Sequence, residues 1–471
     1  MSPRTPRATP SDVSVAARVP MLGEPVRDLR GRTRGEVLEP GDGAYEPARA
    51  AYNAMATGRP MAILRPADLP DVIAAVRWAA ESGLAIGVRG GGHSVAGHSS
   101  PNGALLIDLS RWRGATVDPT ARTADALAGS RLMDLDAATF AHGLAAPSGT
   151  FIDTGIGGLT LTGGISWLLS SEGFACDALI GAQLVTADGD VLEVDEQREP
   201  EVLWGLRGGG GNFGVVTHLR YALTSVPAMV GGRLRFRGEA LREAILRTFE
   251  LEASAPDELV LAMVAWRAED GSPGISVNVG WRGDPEDGTA AIRALTDHPA
   301  CYETDLKAMS WLQQQSLYQP IPFGLRQYWK GHLVGRLDES LADALIASAS
   351  EATNESFALV ELIHGRAHRI PESWAAFGGR AAVANVTALA IWSDPADDEA
   401  EIAWARRFAD RVSPLSLRGG GYLNYPELDQ TAGRVAAAYP PDSWARLQQL
   451  KRRLDPANRF RFNANIPPAD A

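Results

Sequence analysis

The chain contains the stretch Arg89-Gly90-Gly91-Gly92-His93-Ser94. Residues 68–83 have an apolar stripe at helical spacing, an aspartate at the N-cap position and a Ser-Gly stop, so they predict a helix. Residues 84–88 are a short apolar run that predicts a buried strand. Consecutive glycines expose several backbone N–H groups in one direction, which suits phosphate. The order of helix, strand and glycine-rich loop therefore indicates a site where the backbone approaches a phosphate group.

Further glycine-rich stretches follow at 149–164, 207–214 and 418–421. None of them matches G-x-x-x-x-G-K-[ST], which excludes a P-loop. The stretch at 207–214 fits G-x-G-x-x-G only in its letters, because it precedes a strand predicted at 215–223 and does not open a helix. A Rossmann site is therefore excluded as well. One such stretch would indicate no more than tight turns, whereas several together favour a long, extended ligand.

These stretches resemble those of the FAD-linked oxidases in the berberine-bridge-enzyme branch of the vanillyl-alcohol-oxidase superfamily. The stretch at 89–94 is similar to the pyrophosphate loop of that branch. The other matching motifs cover nearly the whole chain in the family's order, and the best matches are to the mono-covalent bacterial members that tailor natural products. These motifs are Gly155-Ile156-Gly157-Gly158 with Gly163-Gly164, Trp204 to Thr217, Tyr422-Leu423-Asn424-Tyr425, and Asp455 to Pro468.

The resemblance implies an α+β fold with a PCMH-type FAD-binding domain built from N-terminal and C-terminal segments. Beyond residue 227, strand patterns at 259–266, 275–281, 358–364 and 385–392 alternate with helical ones. This alternation predicts a second, α+β substrate domain, an antiparallel sheet backed by helices on a single face. The predicted organisation is a disordered lead (1–24), an FAD-binding domain (25–226), a substrate domain (227–414) and a segment that completes the FAD-binding domain (415–471).

The resemblance also implies FAD as the cofactor, with a covalent bond from His93 to the flavin 8α-methyl carbon. Neutral imidazole is a competent nucleophile for such a bond, which raises the oxidising power of the flavin. Many family members have a second link through a cysteine, but Phe151 stands at that position here, so a single link is expected. Cys176 lies downstream and is interpreted as a small buried hydrophobic residue. The predicted cofactor-binding residues are Arg89, Gly90, Gly91, Gly92, His93, Ser94, His98, Thr154, Gly155, Gly158, Gly163, Asn212, Gly214, Val215, Tyr422, Asn424, Asn463 and Asn465.

Thr154 occupies the position that borders the flavin face where oxygen reacts in the family. A polar side chain of this size is compatible with access of oxygen. The sequence therefore predicts an FAD-dependent oxidase of a bulky organic metabolite in secondary metabolism, with hydride transfer to flavin N5 and reoxidation by O₂. A flavin-dependent monooxygenase or dehydrogenase on the same scaffold is the alternative, since a threonine there accompanies an oxygenated flavin in some bacterial relatives.

Oxidation of a hydroxyl or amine also requires a group that takes a proton. Tyr425 matches a tyrosine beside the flavin in the family and is the first candidate, although a tyrosine base with a pKa near 10 requires a nearby positive charge or a strong hydrogen-bond donor. Tyr422 is the second candidate, with packing against the flavin as its main expected role. Glu361 is the next. Alternation along the strand predicts that Glu361 and His364 do not both face the site. Tyr328, Lys330 and His332 are further candidates on the strands of the substrate domain.

Composition, charge and apolar patterning limit the kinds of partner that this protein is expected to bind. The chain has 471 residues, 45% of them hydrophobic, and a formal net charge of −12. An acidic surface repels phosphate backbones, so no nucleic-acid partner is expected. No apolar stretch reaches the length of a membrane helix, and the first 20 residues lack the apolar core of a secretory signal, so a cytoplasmic protein without a membrane partner is expected. His93 and His98 have the spacing of a metal pair, but no third ligand is near, so no metal is expected. Small-molecule substrate and O₂ are the predicted partners.

Overall fold

The computed structural model describes residues 24–226, 228–353 and 355–470. The predicted disordered lead lies outside these residues, except that Glu24 begins the first helix. In the described part of the chain, no helix is long and apolar enough to cross a membrane.

The first sheet carries the loop at 89–94. Its elements are α1 (Glu24–Arg32), β1 (Glu36–Leu38), α2 (Tyr45–Arg49), β2 (Ala62–Arg65), α3 (Leu69–Glu81), β3 (Ile86–Arg89) and β4 (Leu105–Asp108). The strand order is β1-β2-β4-β3, with β1 antiparallel to β2 and the other pairs parallel. The predicted helix is α3, whose N-cap Asp68 accepts a hydrogen bond from the amide of Asp71. Because β3 ends at Arg89, the glycine loop leaves the sheet at the end of that strand.

The second sheet is antiparallel and lies next in the chain. Its order is β5-β6-β10-β8-β9, and it places the glycine stretch at 207–214 directly before its central strand β10. Asp188-Gly189 stands between two apolar runs, which predicts a hairpin, and the pair β8 and β9 confirms it. The elements are β5 (Ala115–Asp118), β6 (Thr123–Leu127), α4 (Leu132–Phe140), β7 (Leu144–Ala145), α5 (Ile156–Leu161), α6 (Leu169–Glu172), β8 (Leu179–Val185), β9 (Val191–Asp195), α7 (Pro200–Leu206), β10 (Val215–Ala222) and β11 (Thr224–Ser225).

The third sheet is the largest, with eight antiparallel strands. Its order is β15-β12-β14-β13-β18-β19-β17, and β16 also pairs with β12. The elements are β12 (Met229–Phe236), α8 (Leu241–Ala253), β13 (Leu259–Arg267), β14 (Pro273–Arg282), α9 (Pro285–Ala291), α10 (Arg293–Thr296), β15 (Cys301–Thr304), β16 (Lys307–Met309), α11 (Trp311–Gln315), β17 (Arg326–Val334), α12 (Glu339–Glu351), β18 (Phe357–Leu362), α13 (Arg366–Arg369), β19 (Ala384–Trp392) and α14 (Asp398–Val412).

The two faces of the third sheet differ. Leu261 and Met263 of β13 share a buried core with Leu341 of α12 and Phe408 of α14. Since neighbouring residues on a strand point to opposite faces, Ala262 and its cross-strand partner Glu361 face away from these helices. The prediction of an antiparallel sheet backed by helices is confirmed, but not the restriction to a single face. The short helix α11 approaches the other face, where a β-carbon on Gly280 would lie 3.2 Å from Gln314.

The C-terminal residues return to the first two sheets. Helices α15 (Ala432–Ala437) and α16 (Pro441–Leu454) precede an irregular tail. Leu450, Phe460 and Ile466 lie in the same buried core as residues of the first two sheets, and the amide of Ile86 donates to the carbonyl of Arg459 at 2.9 Å. The α+β fold with a first part completed by the C-terminus is confirmed, while the predicted boundary residues stay predictions.

Candidate functional site

Three of the four predicted glycine stretches, at 89–94, 149–164 and 207–214, meet at one cavity, whereas no residue of the stretch at 418–421 lies on its wall. It encloses about 1490 Å³ of empty space, including its open mouth. Its wall contains most of the predicted cofactor-binding residues, and Phe460 and Phe462 from the tail add aromatic surface. The predicted residues on the wall are Arg89, Gly90, Gly91, Gly92, His93, Ser94, His98, Thr154, Gly155, Gly158, Gly214, Tyr422, Asn424 and Asn463.

Two of these stretches touch through their main chains. A β-carbon on Gly91 would lie 2.4 Å from the nitrogen and the Cα of Gly155. A β-carbon on Gly155 would likewise lie 2.3 Å from the nitrogen of Gly91. No residue with a β-carbon can be accommodated at distances this short. Glycine at both positions therefore allows the loop at 89–94 to lie against the start of α5.

The loop at 89–94 has the properties of an anion cradle. Within the described chain, no hydrogen bond uses the backbone N–H groups from Gly90 to Ser94. A row of free N–H groups on a cavity wall suits a pyrophosphate. Gly158 and Gly211 also lie on the wall, and a β-carbon on either would meet no atom within 4 Å, which leaves bare backbone facing open space. The residues present therefore fit FAD.

Four of the predicted cofactor-binding residues are not on this wall. Asn212 is fully buried, donates to the carbonyls of Gly209 and Ala464, and accepts from the amide of Ile466. The other three, Gly163, Val215 and Asn465, also lie off this wall, and their role in cofactor binding stays a prediction: Val215 packs in the core, and a β-carbon on Gly163 would lie 2.8 Å from Phe377. Asn212 thus joins the glycine stretch to the C-terminal tail.

The guanidinium of Arg89 is engaged by the protein itself. Arg89 lies on the cavity wall, but the residue is only 8% exposed and its guanidinium donates to the carbonyls of Ala48, Arg49 and Ser99. Its N–H groups are therefore occupied by main-chain oxygens, and they fix the base of the loop.

The side chain of His93 is held from three sides. Its Nε2 lies 3.0 Å from Oδ2 of Asp153. Tyr52 stacks on the ring with centroids 4.4 Å apart, and Phe323 meets it edge-on at 5.3 Å. This leaves Nδ1 as the ring nitrogen without a protein partner among the described residues, on a side chain that lines the cavity.

The neighbouring His98 stays neutral, because burial lowers its pKa to about 4. Among the described residues, no group of three or more His, Cys, Asp or Glu side chains is arranged to hold a metal ion.

The second-link position and the cysteine lie apart. Phe151 lines the cavity and stacks on Tyr318 at 5.0 Å. Cys176 is fully buried in a separate apolar cluster with Phe174 and Phe377, off the cavity wall. Burial raises the pKa of its thiol, so it is an inert core residue.

Tyr422 holds the backbone next to α5. Its hydroxyl accepts hydrogen bonds from the amides of Gly164 and Ile165 at 2.8 and 3.0 Å and from the side chain of Asn424 at 2.8 Å. Burial raises its pKa. These three contacts hold the hydroxyl in place, and the role of Tyr422 as a proton acceptor stays a prediction.

Tyr425 and Glu361 form a buried pair at the cavity. The Tyr425 hydroxyl donates to Oε1 of Glu361 at 3.0 Å, and the side-chain amide of Asn385 donates to Oε2 at 2.8 Å. Burial raises the pKa of Glu361 to about 7. Burial, followed by the charge of Glu361, also raises the pKa of Tyr425. Tyr425 contacts a carboxyl group and not the positive charge that a tyrosinate requires, and its role as the base stays a prediction.

The remaining candidates face elsewhere. His364 pairs with Glu252 at 2.6 Å, which agrees with the expectation that it and Glu361 do not both face the site. Tyr328 donates to Asp429, and Lys330 donates to Glu427 at 2.7 Å. His332 lies on the same face of β17 as Tyr328 and Lys330, and none of these residues lies on the cavity wall.

Sequence reasoning missed Asp153, Tyr52, Phe323 and Asn385. Asp153 stands two residues after Phe151 and directly before Thr154, both of which the sequence places near the flavin. A carboxylate between them was therefore a signal in the sequence. Tyr52 and Phe323 lie in irregular segments far from His93 in the chain, and no pattern in the sequence pairs them with it.

Two family models and several known proteins match this chain in sequence. The sequence model described as "FAD binding domain" matches residues 60–195, and the one described as "Berberine and berberine like" matches residues 421–467. The (R)-6-hydroxynicotine oxidase of Paenarthrobacter nicotinovorans is 30% identical over 447 residues, which cover 92% of this chain and 97% of that protein. The xylooligosaccharide oxidase of Thermothelomyces thermophilus is 24% identical and covers 87% of this chain and 88% of that protein.

Solved structures agree on the fold. The 6-hydroxy-D-nicotine oxidase of Arthrobacter nicotinovorans superposes with a TM-score of 0.86 at 28% identity, covering 93% of this chain and 98% of that one. A chitooligosaccharide oxidase superposes with a TM-score of 0.84 at 22% identity, covering 95% of this chain and 100% of that one. The cavity fits FAD, the model described as "FAD binding domain" matches residues 60–195, and the similarity to (R)-6-hydroxynicotine oxidase extends over nearly the whole length of both chains. The chain therefore belongs to the berberine-bridge-enzyme-like family and is an FAD-dependent oxidoreductase that acts on organic substrates.

Proposed function

We propose that this enzyme is an oxidase of a bulky organic metabolite in secondary metabolism, with FAD bonded once, through His93, and reoxidised by O₂. The observation that carries the proposal is the Tyr425–Glu361 pair. Tyr425 lies on the wall of the FAD cavity, and Glu361 lies behind it on the face of the third sheet opposite α12 and α14.

FAD supplies a hydride acceptor at N5 when it is bound. Tyr425 places its hydroxyl at the cavity, where it accepts the proton of a substrate hydroxyl or amine while its own proton passes 3.0 Å to Glu361. Glu361 is the final proton acceptor, and Asn385 holds its second oxygen. Tyr422 and Asn424 keep the segment at 422–425 against α5, which fixes the position of Tyr425.

The surroundings of the pair suit a large, mainly apolar substrate. Trp329 meets Tyr425 edge-on at 5.2 Å. Val264 and Leu359 pack in the same cluster, and they lie on the face of the third sheet opposite α12 and α14. Apolar walls with a few polar groups at the point of reaction are typical of small-molecule sites.

The rate of flavin reduction by substrate should rise with pH and level off above about 7. Glu361 must be ionised to take a proton, and burial raises its pKa to about 7, so most of the carboxyl is protonated and inactive below that pH. Stopped-flow measurement under nitrogen, at saturating substrate, gives this profile. The inflection should disappear in Glu361→Gln, and a flat profile in the unaltered enzyme would assign the proton acceptor elsewhere.

Mass spectrometry tests the covalent bond. The purified enzyme should be yellow, its FAD should stay with the acid-precipitated chain, and the flavin peptide should contain His93. No adduct is expected on Cys176, because it is fully buried away from the cavity. FAD released into the supernatant would contradict the covalent bond. An adduct on Cys176 would contradict the assignment of Phe151 to the position of the second link.

Measurements of hydrogen peroxide, of oxygen incorporated into product and of O₂ consumption identify the electron acceptor of the reduced flavin. Hydrogen peroxide formed in equal amount to product supports the oxidase. Incorporation of oxygen from O₂ into the product would assign the monooxygenase alternative, for which Thr154 on the cavity wall is the relevant residue. Turnover with an artificial acceptor but without O₂ consumption would assign a dehydrogenase.

A further inference from the structure

Asp153 is a carboxylate in an unusual setting. Its Oδ2 contacts His93, while its Oδ1 is buried and has no hydrogen-bond partner among the described residues. Its side chain is 16% exposed, and no arginine or lysine of the described chain pairs with it. A mostly buried carboxylate without a cation or a second donor is destabilising by itself. Its presence therefore points to a role in what His93 does.

The backbone on both sides of Asp153 is fixed. The amide of Met133 donates to the carbonyl of Ile152, and the amide of Leu132 donates to that of Thr154, both at 2.9 Å. These two bonds attach the segment to the first turn of α4. The contact between Gly91 and Gly155 then sets the distance from this segment to the histidine loop. Asp153 and His93 therefore face each other because two rigid pieces of main chain meet beside them.

We propose that Asp153 is the positioning residue that makes His93 bond to FAD through Nδ1. This inference rests on the proposed covalent bond at His93. A carboxylate oxygen 3.0 Å from Nε2 accepts a hydrogen bond, so it stabilises the tautomer that has its proton on Nε2. The lone pair then lies on Nδ1, the nitrogen without a protein partner. The stack on Tyr52 and the edge contact with Phe323 prevent the ring from turning away.

With Asp153 in this role, the atoms, electrons and protons of the covalent step are all accounted for. A C–H bond of the 8-methyl group breaks and its proton leaves to solvent, while the Nδ1 lone pair forms the new N–C bond. The two electrons of the broken C–H bond remain in the flavin, which is thereby reduced, and O₂ takes them to give hydrogen peroxide. The imidazole becomes positively charged when Nδ1 is alkylated. Asp153 stabilises that charge and accepts the Nε2 proton.

Asp153→Asn tests the inference with little change of shape. Its amide can donate to Nε2, which favours the wrong tautomer, as with the aspartate of a serine-protease triad. We expect the full-length variant to bind FAD in a 1:1 ratio but to form acid-stable flavin about 10–100-fold more slowly, the scale seen when a metal-ligating histidine loses its carboxylate partner. The measurement follows acid-stable flavin and the mass of the His93 peptide during incubation with FAD in air. In Asp153→Ala, added formate should restore part of the rate, an effect that a purely structural role would not give.

Asp190→Asn is the matched control. Its side chain is 73% exposed, and the only ion pair it makes in the described chain is a distant one with Arg77. It should form the adduct as the unaltered chain does. A complete adduct in Asp153→Asn would overturn the inference alone, whereas an unaltered chain without any adduct would overturn it together with the proposed bond. A variant that binds no FAD would place Asp153 in cofactor binding and would also overturn the inference.

Discussion

Flavin reduction by substrate should slow by about 10²–10⁴-fold in Tyr425→Phe and in Glu361→Gln, the usual contribution of general acid–base catalysis. Tyr425→Phe keeps the ring that packs on Trp329 but removes the hydroxyl that donates to Glu361. Glu361→Gln keeps the shape of the side chain but removes the group that takes the proton. Neither residue carries the FAD loop, so the amount of bound flavin and its spectrum should stay the same. The rate is read by stopped flow under nitrogen, which separates reduction from reoxidation and product release.

Tyr422→Phe is the comparison for that pair. Its hydroxyl accepts from two buried backbone amides, so its removal should lower the free energy of unfolding by about 1–3 kcal/mol with a smaller effect on flavin reduction. The double variant of Tyr425→Phe and Glu361→Gln should be no slower than the slower single variant, because the two residues act on one proton. Additive losses would contradict a shared role. An unchanged rate in Tyr425→Phe would leave Glu361 as a base that acts without the relay.

Gly91→Ala should abolish FAD binding. The added carbon would lie 2.4 Å from backbone atoms of Gly155, and backbone cannot yield as the end of a side chain can. The loop at 89–94 must then separate from α5, which destroys the cavity wall and lowers the free energy of unfolding by about 1–3 kcal/mol. Absorbance of flavin per chain and the Tm without added FAD measure the two effects.

Gly158→Ala separates the cofactor from the fold. Gly158 lies on the cavity wall inside α5, and its β-carbon would meet no atom within 4 Å. Alanine favours a helix over glycine by about 0.5–1 kcal/mol, so the Tm without FAD should be equal or higher, while FAD occupancy should fall because a methyl group would enter the cradle. Gly43→Ala, at a turn away from the cavity with the same open space, should change neither the Tm nor the FAD occupancy.

For the Gly91→Ala variant, full FAD occupancy would contradict the contact between the two loops.

Local patterns predicted the elements well where the residues repeat cleanly. The Asp68 cap and the apolar stripe predicted α3, and the Asp188-Gly189 turn predicted the β8–β9 hairpin. The strand β12 was missed because it begins Met-Val-Gly-Gly-Arg, and Gly231 and Gly232 interrupt the apolar alternation. Those glycines are needed where Gln314 and Asp305 pack on the strand, contacts that come from distant residues.

The sequence by itself determined that three glycines and a histidine follow strand β3 and that Phe151 stands in the next glycine-rich stretch, because these depend only on residue type along one stretch. The role of His93 in the bond to FAD is implied by the family resemblance and stays a prediction. The sequence also determined the alternation that places Glu361 on one face of its strand and His364 apart from it. Backbone-level requirements of this kind, glycine for close approach and alternation for burial, are local, so a single chain shows them.

Only the tertiary structure decided which polar side chains reach the cavity. Arg89, next to the glycines, turns to the carbonyls of Ala48, Arg49 and Ser99, whereas Asp153 reaches His93 from 60 residues away. The pairing of Tyr425 with Glu361, which lies 64 residues earlier, likewise depends on the C-terminal segment packing beneath the third sheet. A side chain's direction and pKa are set by the groups that surround it after folding, and burial of Glu361 beside a tyrosine hydroxyl is what moves the expected proton acceptor from Tyr425 to that carboxylate.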